Sequence, residues 1–448
     1  MVASNAGKNK GFTLNKPFFN KLYTRLGSLL MRASLLGKKH SLSLENMVKI
    51  DTVAFNFADA CSLRCVYCPQ SGNPSHATAT PEIVSKVIDY VKRNHIKHVV
   101  FGFYGETHGF IGWEDYAEDL LDAGVDVNIC SSFSHSLRES ELNCLSRMRT
   151  IQFSIDTIDR DLLRQIRHPA DVHIMLYNMN LIKAAALMKG GKPPEFTWNV
   201  TLTDKVVEKL PQLVASAHMY DVKSISVNDM ADFADSQGGV KSVFELEGAQ
   251  FLKAVESFET AKRIAADNGL TISFPPEKLL VKKKEAEMSF IKNGKEMSNP
   301  VVIKNLPQKY IQGMGRVHIA RELMCGVRQG KTRDCLDPWL NIYISADGEV
   351  YSCCVNGVSL GNISGEMKLE EILQSEKYEN FRMSLLNGDF EKQEICKYCH
   401  GPNEIDINKF RGEVSNLFLQ MTPWRFLAIT CKRFATAAIS RLRQHQLR

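Results

Sequence analysis

No uncharged apolar stretch in this 448-residue chain reaches the roughly 18 to 20 residues that a membrane-spanning helix requires. A secretory signal is also missing, because Lys21, Arg25 and Arg32 interrupt every apolar run near the N-terminus. The twelve cysteines are therefore expected as reduced thiols or metal ligands of a cytoplasmic protein, not as disulfides. Acidic residues are absent from both ends. Residues 1–44 carry eight Lys or Arg and residues 414–448 carry six, so a total charge of +6 leaves −8 for the body between them. An acidic body argues against a nucleic-acid groove through the core, which needs clustered cations. Internal repeats and low-complexity tracts are lacking too. What is there is 44% hydrophobic residues, enough for a large domain and a smaller one.

From residue 51 onward, short β-like runs alternate with amphipathic helical runs, the pattern of βα units around a parallel sheet. Strands are expected at Thr52–Phe57, His98–Phe103, Val125–Ser131, Ile151–Ile155, Glu195–Thr201, Lys223–Val227 and Thr271–Phe274. Helices are expected at Pro81–Asn94, Glu114–Ala123 and Val172–Met188. Six or seven such units make an α/β fold of partial or full barrel type, with functional residues at the C-terminal strand ends. The barrel spans 51–276, after a basic extension over 1–50, and Lys- and Glu-rich sequence over 277–324 reads as a linker or peripheral segment. A small α+β module over 325–411 follows. Its hairpin uses Leu340–Ile344, a turn at Asp347-Gly348 and Val350–Cys353, and its helix covers Lys368–Leu386.

Cys61, Cys65 and Cys68 stand at C-x3-C-x2-C spacing directly after the first expected strand. Three thiolates on one loop can hold three irons of a cubane and leave the fourth iron open to a small molecule. A zinc site normally takes four protein ligands, and buried structural thiols have no reason to share one loop. Further on, Cys335-x12-Gly348-x4-Cys353 and Cys396-x2-Cys399 supply four thiols in two pairs, which suit either an iron–sulfur centre or a zinc ribbon. Cys354 falls on the opposite side of an extended strand from Cys353. Cys325 either caps that centre or is a free structural thiol, and Cys130, Cys144 and Cys431 read as ordinary apolar residues.

The triplet, with Tyr67 before its third cysteine, resembles the motif of the radical S-adenosylmethionine (SAM) superfamily, and the resemblance extends over roughly Thr52 to Val227. It implies a partial (β/α)6-type barrel and a SAM-bound 4Fe-4S cluster on Cys61, Cys65 and Cys68. Phe103-Tyr104-Gly105-Glu106 stands where the family has a Gly-Gly-Glu motif at the SAM methionyl and ammonium groups, with Tyr104 replacing one glycine. Ser154 matches a ribose contact, and Arg167 falls where related enzymes pair an arginine with the SAM carboxylate. The implied chemistry is reductive cleavage of SAM to methionine and a 5′-deoxyadenosyl radical that abstracts hydrogen from substrate. An electron donor such as flavodoxin or ferredoxin is implied with it.

Cys335, Cys353, Cys396 and Cys399 resemble the twitch form of the SPASM auxiliary module. His400-Gly401-Pro402 replaces the further cysteine run of a full SPASM pattern, so the resemblance implies one auxiliary 4Fe-4S cluster. Oxidation or epimerisation of a small-molecule polyol, sugar or glycan-linked alcohol is expected, near Asn199, Asn228 and Asp229. Maturation of a peptide or protein is the alternative, although the first 50 residues are too short and too basic for a peptide-binding domain. In the basic amphipathic tail, 412–448, Leu427, Cys431, Phe434, Ala438 and Leu442 form one helical stripe flanked by cations. That stripe suits peripheral contact with an anionic membrane surface, and equally suits packing on the acidic body.

Overall fold

Apolar β-branched and aromatic runs form the centre of the protein, as alternation of buried and half-buried residues along each strand requires. The computed structural model describes residues 48–68, 71, 76–230, 238–274, 330–353, 359–393, 396 and 404–419, with scattered positions between 277 and 288. Its first nine strands are β1 (Thr52–Phe55), β2 (Arg64–Cys65), β3 (His98–Phe101), β4 (Asp126–Ser131), β5 (Thr150–Ser154), β6 (Arg167–His168), β7 (Glu195–Leu202), β8 (Ser224–Asp229) and β9 (Thr271–Ser273). Strands β1, β3, β4, β5, β7, β8 and β9 pair in parallel in that order. All seven are the expected ones, with ends moved by one or two residues. β2 and β6 form a separate two-stranded ribbon.

Helices return the chain between the parallel strands. The helix Pro81–Arg93 starts where Thr80 Oγ1 accepts from the Ile83 amide at 3.3 Å and Pro81 takes the first turn. It buries Ile83, Val84, Val87, Ile88 and Val91, each worth about 1.5–3 kcal/mol when fully covered. Val172–Met188 spans the expected residues, capped by Asp171. Because these strands run parallel, every strand-to-helix loop lies at one end of the sheet, which is where the cysteine triplet emerges.

The C-terminal hairpin departs from a free-standing module. Strands β10 (Lys331–Arg333), β11 (Asn341–Ile344), β12 (Glu349–Tyr351), β13 (Gly361–Asn362) and β14 (Glu404–Asp406) follow the parallel set. β11 and β12 make the expected antiparallel pair, yet β11 also lies parallel to β1, with Thr52 opposite Asn341 and Phe55 opposite Ile344. Among the described residues the sheet therefore has ten strands and runs from β13 at one edge to β9 at the other without closing. An open sheet is the partial form of the barrel.

The expected helix over Lys368–Leu386 is two helices, Leu369–Leu373 and Glu376–Leu386. Ser375 breaks it by accepting from the Tyr378 amide at 3.3 Å, so an N-cap restarts the helix where periodicity alone ran through. Beside the break lies Arg382, 1% exposed, donating to Pro338 O at 2.8 Å and Leu373 O at 3.0 Å over the Tyr378 ring. Contacts divide the chain into Ile50–Ile407 and a second unit of Met1–Lys49 with Asn408–Arg448. The expected tail helices, including Leu427 to Leu442, and most of 277–324 lie outside the described residues. Among the described residues no helix is long and apolar enough to cross a membrane.

Replacing Arg382 by Met should lower the unfolding free energy by about 2–4 kcal/mol, because two buried carbonyls lose their donor at roughly 1–3 kcal/mol each. Urea unfolding of the metal-free chain measures this. A loss under about 1 kcal/mol would mean that the carbonyls find other partners.

Candidate functional site

The loop leaving β1 is stitched to the loop leaving β3. Asn56, 1% exposed, accepts from the amides of Phe103 and Tyr104 at 3.1 and 3.2 Å, and the Glu106 amide donates to Ala60 O at 3.1 Å. Between them Gly105 has φ +76°, and a Cβ there would stand 2.5 Å from Ala58 O and 2.6 Å from Asp59 O. Only glycine fits. The close backbone approach at this position is thus made by the chain itself, to the carbonyls leading into Cys61.

The triplet then turns tightly. The Leu63 amide donates to Cys61 Sγ at 3.4 Å, the Cys68 amide to Cys65 O at 3.0 Å and Ser71 Oγ to the same carbonyl at 2.6 Å. Burial pushes the Cys61 and Cys65 thiols up to about 12; nearby Glu106 adds to this at Cys61, while Arg167 opposes it at Cys65. Each of the two also feels the Cys68 charge. Yet among the described residues no three ligating side chains gather as a single metal ion needs. The three thiols lie near enough to influence one another, and an iron–sulfur cluster held by them would bring the positive charge that keeps buried thiolates ionised.

Arg167 does not stand free. Its Nε and Nη2 donate to Asp156 Oδ2 and Oδ1 at 2.7 and 2.9 Å, and Tyr67 Oη donates to the same Oδ2 at 2.7 Å. The fork expected to take the SAM carboxylate already holds a carboxylate of the chain. Asp156 closes the run Phe153-Ser154-Ile155-Asp156, whose Ser154 is the expected ribose contact, but its own pairing with Arg167, 11 residues on, has no local sequence signature.

Glu106 is buried, with Ser131 Oγ donating to Oε2 at 2.7 Å, the Ser132 amide to Oε1 at 2.9 Å and His108 Nδ1 3.3 Å from Oε2. Burial by itself would raise its pKa, but His108 and these hydrogen bonds outweigh it and hold the carboxyl at about 2. Ser154 Oγ lies 3.6 Å from Cys130 Sγ, which Asn199 Nδ2 approaches at 3.4 Å while donating to Gln152 Oε1 at 3.0 Å. Cys130, read from sequence as an ordinary apolar residue, therefore sits on the polar inner face. The alternation of Asp126–Ser131, which leaves Asn128 and Cys130 half-buried on one face, carried that signal. Asn199 and Asn228 share this inner face, but Asp229 alternates to the other. There it accepts from Ser242 Oγ at 2.9 Å and burial pushes its carboxyl up to about 7.

Of the second cysteine set, Cys335 follows β10, Cys353 follows β12, and Cys396 is tied to the first by Arg333, whose Nε donates to Cys396 O at 3.1 Å. Arg333 also packs over the Phe390 ring at 4.6 Å and faces Glu404 on β14. Cys399, Cys354, Cys325 and Cys431 lie outside the described residues.

Because the folded pKa of Glu106 lies below the ordinary 4.5, its contribution is present above about pH 4.5 and is lost as pH falls toward 2. The loss should approach about 3 kcal/mol in urea titrations of the metal-free chain, and Glu106→Gln should flatten that part of the profile. An equally steep profile in the variant would contradict the assignment.

Residues 55–189 match the Radical SAM superfamily model, and residues 335–400 match SPASM, an iron–sulfur cluster-binding domain. No curated protein matches the sequence. Among solved structures, Streptococcus suis SuiB bound to precursor peptide SuiA aligns over 92% of this chain and 82% of that chain, with 12% identity and a TM-score of 0.53. SuiB bound to S-adenosylmethionine aligns over 91% and 80%, with 13% identity and a TM-score of 0.51. Likeness at that identity speaks to the fold alone. With its cysteine loop at the sheet's loop end and a second cysteine set beyond, the chain carries a radical SAM domain over residues 55–189 and a C-terminal SPASM iron–sulfur cluster-binding domain over 335–400.

Proposed function

We propose that this enzyme abstracts hydrogen from an alcohol-bearing carbon of a neutral polyhydroxylated substrate, a sugar, cyclitol or glycan-linked alcohol. The observation that carries the reading is the chemistry of the inner wall. Along β4, β5, β7 and β8 the half-buried positions hold Asn128, Cys130, Gln152, Ser154, Asn199 and Ser226. Charge appears on that face only at the start of the strands, at Asp126 and Glu195. Amides and hydroxyls match hydroxyl groups donor for acceptor, whereas a charged substrate group entering such a wall would lack a partner. Ser226 and Asn228, in register with Asn199 and Thr201, have side chains without partners among the described residues.

When bound, the cofactors supply reductive SAM cleavage to a 5′-deoxyadenosyl radical at Cys61, Cys65 and Cys68, and one auxiliary 4Fe-4S cluster at Cys335, Cys353, Cys396 and Cys399. The chain's own contribution is placement. Gly105 and Asn56 hold the cysteine loop against the strand ends, Glu106 stands beside it, Ser154 lies on the inner wall next to Cys130, and Asn199, Ser226 and Asn228 orient substrate hydroxyls. An external one-electron donor of the flavodoxin or ferredoxin type fits the same reading.

A cyclitol or sugar deuterated at its carbinol carbons should pass deuterium to 5′-deoxyadenosine, detected by mass spectrometry, with one SAM consumed per oxidised product. Deuterium transfer from a precursor peptide alone would replace this substrate class with a peptide. Ser226→Ala and Asn228→Ala should each raise KM for the alcohol about tenfold, the worth of one buried hydrogen bond. Unchanged KM in both would remove these residues from the substrate wall.

A further inference from the structure

Asp156 is fully buried, and four donors converge on its two oxygens. Tyr67 Oη and Arg167 Nε reach Oδ2, each at 2.7 Å, while Arg167 Nη2 at 2.9 Å and the Thr201 amide at 2.8 Å reach Oδ1. Those donors come from three places. Tyr67 lies in the cysteine loop, Arg167 opens β6, and Thr201 lies in β7, in register with Asn228 of the substrate wall. The ribbon ties the same pieces again, since Cys65 pairs with Arg167 and the Val66 amide donates to Ile166 O at 2.9 Å. The Arg167 guanidinium also lies 5.5 Å over the Tyr67 ring.

We propose that Tyr67, Asp156 and Arg167 form a positioning unit that fixes the cysteine loop to β5 and β7, and that Arg167 is committed to this unit instead of to the SAM carboxylate. The charge balance supports the commitment. If the guanidinium turned to an incoming carboxylate, Asp156 would remain as a buried anion with two neutral donors, a far costlier state than the paired one. An aromatic ring before the third cysteine needs no hydroxyl to pack. The Tyr67 hydroxyl is what links that ring to the strand behind it. The unit rests on the reading that Cys61, Cys65 and Cys68 hold the catalytic cluster, and it adds that their loop is aligned with the substrate wall through one carboxylate.

Hydrogen–deuterium exchange of the loop 61–68 in the metal-free full-length chain tests it, and since neither cluster nor SAM is present the result is independent of whether the chain cleaves SAM. Tyr67→Phe, Asp156→Asn and Arg167→Lys should each raise loop exchange about tenfold, and all three should lower the iron bound after anaerobic reconstitution. Tyr67→Phe keeps the ring and the ion pair, so it reports on the hydroxyl even if the other variants fold poorly. In equilibrium dialysis, reconstituted Arg167→Lys should bind SAM within about twofold of wild type per loaded triplet cluster. Wild-type loop exchange in Tyr67→Phe would overturn the proposal. So would a SAM affinity at least about tenfold weaker in Arg167→Lys with loop exchange unchanged, which would return the guanidinium to the SAM carboxylate.

Discussion

A buried carboxylate with no exposure to solvent must have its charge met inside the protein, and at Asp156 the groups that meet it come from the cysteine loop, from β6 and from β7. That requirement converts three separate chain segments into one rigid corner at the loop end of the sheet. Asn56 and Gly105 make a second corner beside it, where side-chain and backbone contacts leave no room for a Cβ. The cysteine triplet hangs between the two. Its geometry is thus set by groups that are themselves buried and hydrogen-bonded, which is how a loop acquires the precision of a strand.

The second cysteine set repeats part of this arrangement. Arg333, 4% exposed, ties the backbone at Cys396 to the strand that leads into Cys335 and is itself held by Phe390 and Glu404. Arginine suits the task because its planar fork satisfies several acceptors from one stem and stays charged when buried. Hairpin β11–β12, which delivers Cys353, is continuous with the barrel sheet through β1. The strand that launches the cysteine triplet and the hairpin that leads to Cys353 therefore share one hydrogen-bonded ladder.

Much of the fold was legible because strands buried on one face announce themselves by alternation, and all seven parallel strands stand where that pattern put them. The triplet was legible because its spacing is local. Local signals failed where the decisive partner is distant: Arg167 reads as a carboxylate ligand until Asp156 is found opposite it, and Cys130 reads as apolar until Ser154 and Asn199 are seen beside it. Asp229 reads as a strand-end polar residue, and only the strand's phase turns it from the wall toward Ser242. The single helix drawn over Lys368–Leu386 failed for a smaller reason, since one serine cap outweighs an unbroken apolar period.

If Cys61, Cys65 and Cys68 hold the open cluster at which SAM is cleaved, release of 5′-deoxyadenosine depends on all three. The nucleoside released from SAM by the anaerobically reconstituted 448-residue chain with a low-potential reductant can be quantified directly. The wild-type chain should release it, and none above background should appear when the three cysteines are replaced together by Ala. Undiminished release from that triple variant would contradict this dependence.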